Sequence, residues 1–278
     1  MARQNKSRGR GEEAFRRRYA ELFGERWRLL EAALAADSAS VAFVADPEES
    51  GEAPAEQEAP VPYFLDSASV FAASCLELPV EGRVLDACAA PGGKSLVLAS
   101  RLPPGARLVA NELSSNRRRR LGEVLDTHLR PGLRSRVEVT GRDAAAMCRR
   151  FESSFDSILL DVPCSSERHV LADPALLSEW SPARVKSLAM RQWALLSSSL
   201  IMLKSGGCLV YSTCSLSPEE NEAVISRAAT KYGTALSFDR LIYSGPGEAE
   251  AKDYGLQILP DKACGAGPMY VCRLHKSR

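Results

Sequence analysis

Residues 84–95 read VLDACAAPGGKS, and this stretch decides how the rest of the chain is interpreted. The short apolar run Val84-Leu85 predicts a buried strand. Small residues and two glycines follow it, and a helical pattern then covers residues 95–102. Glycines at such a turn let the backbone approach a bound ligand closely. The stretch therefore predicts a strand, a ligand-binding loop and a helix in succession.

Three kinds of glycine loop can be compared with this one. A phosphate-binding P-loop reads G-x-x-x-x-G-K-[ST], and its end fits, but a cysteine stands where its first glycine belongs. The dinucleotide fingerprint G-x-G-x-x-G does not fit either. The remaining kind is the loop of an S-adenosylmethionine-dependent methyltransferase, which cradles a methionine moiety. The predicted cofactor-binding loop consists of Cys88, Ala89, Ala90, Pro91, Gly92, Gly93, Lys94 and Ser95.

The sequence beyond residue 83 alternates short apolar runs with helical stretches. Further strands are predicted at 108–110, 137–139, 157–160 and 208–211, and further helices at 115–128 and 182–203. Strand–helix alternation indicates a parallel sheet with helices on both faces. We expect an α/β, class I methyltransferase fold, which is a Rossmann-like and mostly parallel sheet of seven strands, with a short N-terminal helical arm.

Acidic residues follow successive strands at the edge where parallel sheets bind ligands. Asp86 ends the first strand, Glu112 follows the second and Asp143 follows the third. Glu112 can accept hydrogen bonds from the two ribose hydroxyls of an adenosine, and Asp143 can meet the adenine amino group. Each residue alone could be a helix cap. Their common register favours a cofactor site.

Eight cysteines are present, and none forms a C-x-x-C motif. With only three histidines, the sequence gives no support for a metal site, and we expect none. Cys164 follows the fourth predicted strand in Asp161-Val-Pro-Cys, and Cys214 follows the fifth in Ser-Thr-Cys-Ser. If these two strands are neighbours, both thiols face one cleft beside the glycine loop.

At this point the residues match a family. Segments 88–95, 161–164 and 213–221 closely resemble the signature motifs of the RNA cytosine-C5 methyltransferases, the Nol1/Nop2/Sun family that includes bacterial Fmu-type ribosomal RNA enzymes. The resemblance runs from about residue 60 to about residue 274. Segments 167–169 and 267–272 look most like the branch that acts on mitochondrial small-subunit ribosomal RNA.

The resemblance implies a role for each matching residue. Cys214 would be the nucleophile that adds to C6 of cytosine, and Cys164 would assist release of the product. Asp161 would stabilise the protonated N3 and also border the cofactor, while Lys94 would orient Asp161 and lower the local thiol pKa. By the same resemblance, Glu112, Arg117 and Asp143 contact the cofactor.

The resemblance also implies an RNA substrate, ribosomal RNA before transfer RNA, with an unstacked or flipped target base. Arg168 and His169 are predicted RNA contacts, with local loop fixing as the alternative. The segment before the core is too short and acidic for the family's usual N-terminal RNA-binding domain. We therefore expect selection by a structured substrate such as a ribosomal subunit, or by a partner protein. Two alternative functions from other classes are a non-catalytic ribosome assembly factor and a P-loop nucleotide hydrolase.

Charge and composition suggest three segments. Residues 1–46 form a basic, amphipathic helical arm, with Phe15, Tyr19, Leu22, Phe23 and Trp27 on one helix face. Residues 47–62 are an acidic, proline-rich linker, and residues 63–278 are the catalytic domain. The formal net charge of +1 argues against a generally polycationic nucleic-acid binder. Neither a signal peptide nor a membrane span is expected, so the predicted location is cytoplasmic, with organellar import left open.

Overall fold

The chain is described from a computed structural model, which covers residues 2–45 and 61–277, with side chains from residue 10 onward. The strands are β1 (Ser40–Phe43), β2 (Tyr63–Asp66), β3 (Glu81–Asp86), β4 (Gly105–Asn111), β5 (Val137–Thr140), β6 (Phe155–Asp161), β7 (Leu203–Thr213), β8 (Leu236–Phe238), β9 (Ala249–Ala251), β10 (Leu256–Ile258) and β11 (Met269–Lys276). The α-helices are α1 (Ala2–Phe23), α2 (Trp27–Ala35), α3 (Ser67–Ser74), α4 (Gly93–Ser100), α5 (Ser115–His128), α6 (Pro131–Arg134), α7 (Glu167–Ala172), α8 (Pro174–Glu179), α9 (Pro182–Met202) and α10 (Glu222–Tyr232). Short 3₁₀ turns span Gly24–Arg26, Met147–Arg149 and Gly233–Ala235.

The expected α/β architecture is confirmed, with a central sheet in the order β5-β4-β3-β6-β7-β11-β10-β9. Strands β3 to β7 pair in parallel, and β11 is antiparallel to β7. The sheet has nine strands in the described part of the chain, and not the seven expected. The number differs because the eight-residue β11 is long enough to pair with β10 at its start and with β8 at its end.

The central strands are buried on both faces because helices cover both. Val84 and Leu85 are neighbours in β3, yet they belong to apolar clusters on opposite sides of the sheet. Helices α3, α4 and α5 contribute to the first cluster, while α9 and α10 contribute to the second. This two-sided burial explains why the strands read as continuous apolar runs in the sequence.

The chain order places a switch point between β3 and β6. From β3 the chain proceeds outward to β4 and β5, and it then returns to β6 on the other side of β3. A crevice opens at the carboxyl ends of the strands at such a point, and ligands bind there in open α/β sheets. Asp86 and Asp161 end the two strands that border this crevice.

Helices α1 and α2 pack against α7 and α8 in an apolar cluster of their own. Phe15 and Tyr19 are fully buried there, and Trp27 is nearly so. Leu22, predicted on the same face, is 42% exposed. The predicted continuous helix is interrupted after Phe23 by a 3₁₀ turn that begins at Gly24 with φ of 57°, so Trp27 reaches the cluster from a second helix.

Arginines on the polar side of an amphipathic helix are ordinarily solvated or free to contact phosphate. Arg18 instead donates to both carboxylate oxygens of Glu219 at 2.7 Å. Arg26 pairs with Asp261 at 2.6 Å and also with Glu250. Ion pairs between these two arginines and acidic residues of the domain therefore fasten the arm to the domain.

The predicted arm is not helical throughout, because Ser40–Phe43 forms a strand that pairs antiparallel with β2. Residues 47–60 of the predicted linker lie outside the described residues. Of the chain that the structure describes, no helix combines the length and apolarity needed to cross a membrane.

Candidate active site

The glycine loop lies between β3 and α4, at the carboxyl edge of the sheet. Gly92 adopts a φ of 123°, and a Cβ there would lie 2.9 Å from a methyl carbon of Val124. A Cβ on Gly93 would lie 2.9 Å from the ring of Tyr63, which borders the same cleft. Side chains at these positions would clash or strain the turn, so the sequence uses glycine at both. The result is a loop whose backbone directly lines the cleft.

Glu112 and Asp143 line the neighbouring part of this cleft together with Cys88. Glu112 is 5% exposed, and its carboxylate accepts a hydrogen bond from the Ser114 amide at 2.8 Å. Arg117 lies 3.2 Å from the same carboxylate and donates to the Ala90 carbonyl at 2.7 Å. Arg117 thereby joins the acidic strand end to the glycine loop. The structure brings these predicted cofactor residues together around one cavity.

Asn111 is a site residue that the sequence analysis missed. Its buried side chain donates to the carbonyls of Ala87 and Arg142, and it accepts from Thr140. These bonds tie the ends of β3, β4 and β5 together. The only sequence signal was its position immediately before Glu112 at a strand end.

Asp86, the last residue of β3, also lines the cleft. It is 1% exposed, and one carboxylate oxygen accepts from Ser95 at 2.6 Å. The other oxygen, Oδ1, is buried and has no hydrogen-bond partner among the described residues. Burial raises the pKa of Asp86 to about 7. An unpaired buried acceptor is costly, so this oxygen is suited to a cationic or N–H group of a ligand.

Lys94 and Asp161 form a partly buried ion pair at the loop, with 2.8 Å between Nζ and Oδ2. Lys94 also donates to Ser69 at 3.3 Å, and Ser212 donates to the other oxygen of Asp161 at 2.7 Å. Burial lowers the pKa of Lys94, but the charge and hydrogen bond of Asp161 outweigh it, so the net pKa is raised. The pair therefore keeps a fixed carboxylate pointing into the cleft.

Cys164 and Cys214 lie side by side, with 2.9 Å between their sulfur atoms. They follow β6 and β7, which are parallel neighbours as the sequence argument required. The hydroxyl of Ser166 lies 2.8 Å from the Cys214 sulfur. Both thiols are free, and Cys214 is close enough to Lys94 and Asp161 to feel the charge of each.

The two thiols differ in acidity. A hydrogen bond from Cys164 lowers the pKa of Cys214, and the Ser166 hydroxyl and the Lys94 charge act in the same direction, against the effect of burial. The hydrogen bond to Cys214, together with burial, raises the pKa of Cys164 well above its ordinary value. Cys214 is therefore disposed to be the thiolate and Cys164 to keep its proton.

A second cavity of about 340 Å³ adjoins Cys214, and Asp66, Ser166 and His169 contribute to its walls. His169 is exposed at this cavity. Arg168 is bound differently, because its guanidinium donates to the backbone carbonyls of residues 36, 265 and 267 at 2.7, 3.0 and 2.9 Å. These three bonds favour the loop-fixing alternative for Arg168.

One group of potential metal ligands exists among the described residues, and it lies away from this crevice. Glu77, Cys208 and His275 offer ligand atoms within 4.8 Å of one another beside the middle of β7. Arg273 lies 3.6 Å from Glu77 and also pairs with Asp239, which is the partner of His275. Because a guanidinium already occupies this position, the group is a poor cation site.

The sheet order, the glycine loop and the acidic ends of β3, β4 and β5 together define an S-adenosylmethionine-dependent methyltransferase domain of the α/β class. The chain belongs to the RsmB/F family, since the family model described as 16S rRNA methyltransferase RsmB/F matches residues 73–275. Helices α1 and α2 lie before the first matched residue.

Similar proteins include RNA methyltransferases from bacteria and mouse. The chain is 38% identical over 205 residues to ribosomal RNA small subunit methyltransferase F of Aeromonas hydrophila, covering 73% of this chain and 42% of that protein. It is 34% identical to the mouse 5-cytosine rRNA methyltransferase NSUN4, covering 77% of this chain and 60% of that one. The mouse mitochondrial tRNA (cytosine(34)-C(5))-methyltransferase is also 34% identical, with coverages of 77% and 63%. The chain thus spans less than two thirds of the length of these relatives.

Solved structures show the same fold. The structure of NSun6 from Pyrococcus horikoshii with SFG superposes with a TM-score of 0.65 at 26% identity, covering 82% of this chain and 57% of that one. A methyltransferase homologue from the same organism superposes with a TM-score of 0.70 at 23% identity and covers 93% of each chain. The latter match extends beyond the residues of the family match.

Proposed function

We propose that this chain transfers a methyl group from S-adenosylmethionine to C5 of a cytosine in RNA, through a covalent bond between Cys214 and C6. The observation that carries this proposal is the pair of thiols, 2.9 Å apart, at the crevice that holds the Lys94–Asp161 ion pair. C5 of cytosine is a poor nucleophile, and addition of a thiolate to C6 turns it into an enamine carbon. A site for this chemistry needs one thiolate, a carboxylate and a second thiol.

The residues of the crevice fit S-adenosylmethionine. Gly92 and Gly93 leave the backbone open to the methionine part, and the free oxygen of Asp86 suits its ammonium group. Glu112 offers a carboxylate to the ribose hydroxyls, and Asp143 lines the same cavity on the adenine side. When bound, the cofactor supplies the methyl group that C5 takes up as the methyl–sulfur bond breaks.

The remaining groups act on the cytosine. The thiolate of Cys214 forms a bond to C6, and the ring takes up a solvent proton at N3, where Asp161 accepts the N3–H hydrogen bond. Hydrogen bonds from Lys94 and Ser212 hold the Asp161 side chain in place for this task. Loss of the C5 proton to a base then restores the C5–C6 double bond as the sulfur–C6 bond breaks, and N3 returns its proton to solvent. Cys164, whose pKa is raised by its bond to Cys214, holds a proton beside the departing sulfur.

The relatives' names favour ribosomal RNA as the substrate, with transfer RNA second. The cavity of about 340 Å³ beside Cys214 is where the flipped base would enter, with His169 at its exposed wall. We further propose that a ribosomal subunit or a partner protein supplies part of the RNA affinity. A structured substrate would compensate for the acidic segment that precedes the catalytic domain.

The test is nucleoside mass spectrometry after incubating the chain with S-adenosylmethionine and small-subunit ribosomal RNA, with transfer RNA in a parallel reaction. We expect 5-methylcytidine with the wild type and none with Cys214→Ala. Cys208→Ala is the matched control, because Cys208 is a buried cysteine in the middle of β7, whereas Cys214 lies just beyond the end of that strand. Methylation of another atom would overturn the C5 proposal, and product from transfer RNA alone would overturn the ribosomal preference.

A further inference from the structure

A buried polar network lies directly behind the two cysteines. Ser165 follows Cys164 and Ser215 follows Cys214, and both serines are fully or almost fully buried. Their hydroxyl oxygens are 2.9 Å apart, so the two cysteine-bearing loops are joined one residue beyond the reacting sulfurs. Any change in this serine contact alters the separation of the sulfurs.

The carboxylate of Glu167, which is 0% exposed, holds both loops. It accepts from the hydroxyl of Ser165, from the hydroxyl of Ser215 at 3.4 Å and from the amide of Leu216 at 3.0 Å. A fully buried carboxylate is stable only when its hydrogen bonds are satisfied, so each donor matters.

Glu220 binds the same two loops from another direction. It accepts from the Ser165 amide at 3.0 Å, from the Ser215 hydroxyl at 3.0 Å and from Gln192 at 2.7 Å. Burial raises the pKa of Glu220, and the nearby Glu167 adds to this shift. Two carboxylates at such short range repel each other, so their donors decide where each one sits.

The last donor to Glu167 comes from the N-terminal helix α1, outside the residues of the family match. The phenol of Tyr19 donates to Glu167, and its oxygen lies 3.1 Å from the Ser217 hydroxyl. The Tyr19 side chain is completely buried, and its ring contacts Trp27 and Trp180. Burial and the charge of Glu167 raise the pKa of Tyr19, so the phenol stays protonated and remains a donor.

We propose that Tyr19 is a positioning residue of the active site. Its phenol fixes Glu167, and Glu167 in turn fixes the loops that carry Cys164 and Cys214 so that their sulfurs stay in contact. The arm is then a working part of the site as well as a packed appendage. This inference rests on the proposed function for its meaning, but the contact that it describes can be tested without a methyl acceptor.

Removing only the phenol oxygen of Tyr19 distinguishes a role in positioning Glu167 from a role in helix packing. Tyr19→Phe keeps the ring in its cluster and leaves Glu167 with one donor fewer. The carboxylate is then free to move, and the two loops lose a common anchor. The hydrogen bond from Cys164 that lowers the pKa of Cys214 weakens as the sulfurs separate. Fewer Cys214 side chains are thiolates at neutral pH, and only the thiolate reacts with alkylating reagents.

The experiment measures the rate of Cys214 alkylation by iodoacetamide as a function of pH, by mass spectrometry of the Cys214 peptide. We expect Tyr19→Phe to move the alkylation profile to higher pH and to lower the rate at neutral pH roughly three- to tenfold, the net effect of losing about one ordinary hydrogen bond. Phe15→Leu is the matched control, because Phe15 packs against the Tyr19 ring at 4.7 Å and has no polar atom.

An unchanged profile for Tyr19→Phe overturns the proposal, and so does an equal shift in Phe15→Leu, which would mean that helix packing alone is responsible. If Tyr19→Phe fails to fold, Glu167→Gln tests the same link from the other side, and the same shift is expected. Alkylation needs neither RNA nor cofactor. A shifted profile in a protein that methylates no cytosine would therefore refute the proposed function and leave the positioning role standing.

Discussion

The Nζ atom of Lys94 lies 2.8 Å from the Oδ2 atom of Asp161, and this pair lines the cleft that the glycine loop borders. Lys94 comes from the first turn of α4, whereas Asp161 is the last residue of β6. The helix that follows the glycine loop thus supplies the cation that fixes this carboxylate. In the proposed mechanism, Lys94 therefore links the cofactor loop to the carboxylate that meets the cytosine.

Replacing Lys94 by methionine should reduce methyl transfer roughly a hundredfold or more, because the half-buried carboxylate of Asp161 loses the cation that positions it in the cleft. Steady-state kinetics on the RNA substrate provides the measurement. Lys204→Met is the control, since Lys204 pairs with Asp156 at the same 2.8 Å but is 42% exposed, and it should leave the rate unchanged. Equal losses in both variants would mean that the Lys94 pair has no specific role.

Gly92→Ala should weaken S-adenosylmethionine binding about tenfold or more, as titration calorimetry would show. The φ of 123° at Gly92 disfavours any side chain, and the added carbon meets Val124 at 2.9 Å. Gly122→Ala is the contrast, because nothing lies within 4 Å of a Cβ at that position of α5, and it should raise stability by about 1 kcal/mol. Unimpaired binding by Gly92→Ala would refute the loop as the cofactor cradle.

Asp86→Asn should stabilise the protein at high pH. The folded-state pKa of Asp86, raised to about 7, exceeds its ordinary value of 3.8, so wild-type stability falls as the pH rises through this window. Asparagine mimics the protonated acid, and its advantage should grow to on the order of 4 kcal/mol by about pH 8 and vanish below about pH 4. Urea unfolding across that range measures it. Parallel stability curves for the two proteins would contradict the burial argument.

His169 and Arg168 should behave differently although they are adjacent. His169→Ala should raise the KM for RNA and leave the affinity for S-adenosylmethionine unchanged, because the side chain is exposed at the cavity beside Cys214. Arg168→Ala removes three bonds to backbone carbonyls and should cost about 2–3 kcal/mol of unfolding free energy. An RNA-specific loss in Arg168→Ala without loss of stability would restore its role as an RNA contact.

Much of the crevice could be predicted from sequence because parallel strands end at one edge of a sheet. The register that brings Cys164 beside Cys214 follows from the pairing of β6 with β7, and the positions of Glu112 and Asp143 follow from β4 and β5. Each of these residues lies within three positions of the end of a predictable strand. Local pattern and general topology were therefore enough to place them.

The features that could not be predicted from sequence depend on contacts between distant parts of the chain. Tyr19 and Glu167 are 148 positions apart, and no periodicity records that the phenol meets that carboxylate. The short strands β9 and β10 have three residues each, too few for an alternating pattern to be recognised. The three carbonyls that Arg168 binds belong to turns whose positions are set only when the arm packs against the domain.

The most direct test of the covalent mechanism is denaturing electrophoresis of Cys164→Ala after incubation with S-adenosylmethionine and small-subunit ribosomal RNA, beside the wild type and Cys214→Ala. Without the Cys164 thiol, the Cys214–C6 bond should form but break slowly, so a protein–RNA adduct should accumulate in that variant alone. A trapped adduct in Cys214→Ala would reverse the roles of the two thiols. Accumulation of 5-methylcytidine by Cys214→Ala, with no adduct in any variant, would contradict the covalent mechanism itself.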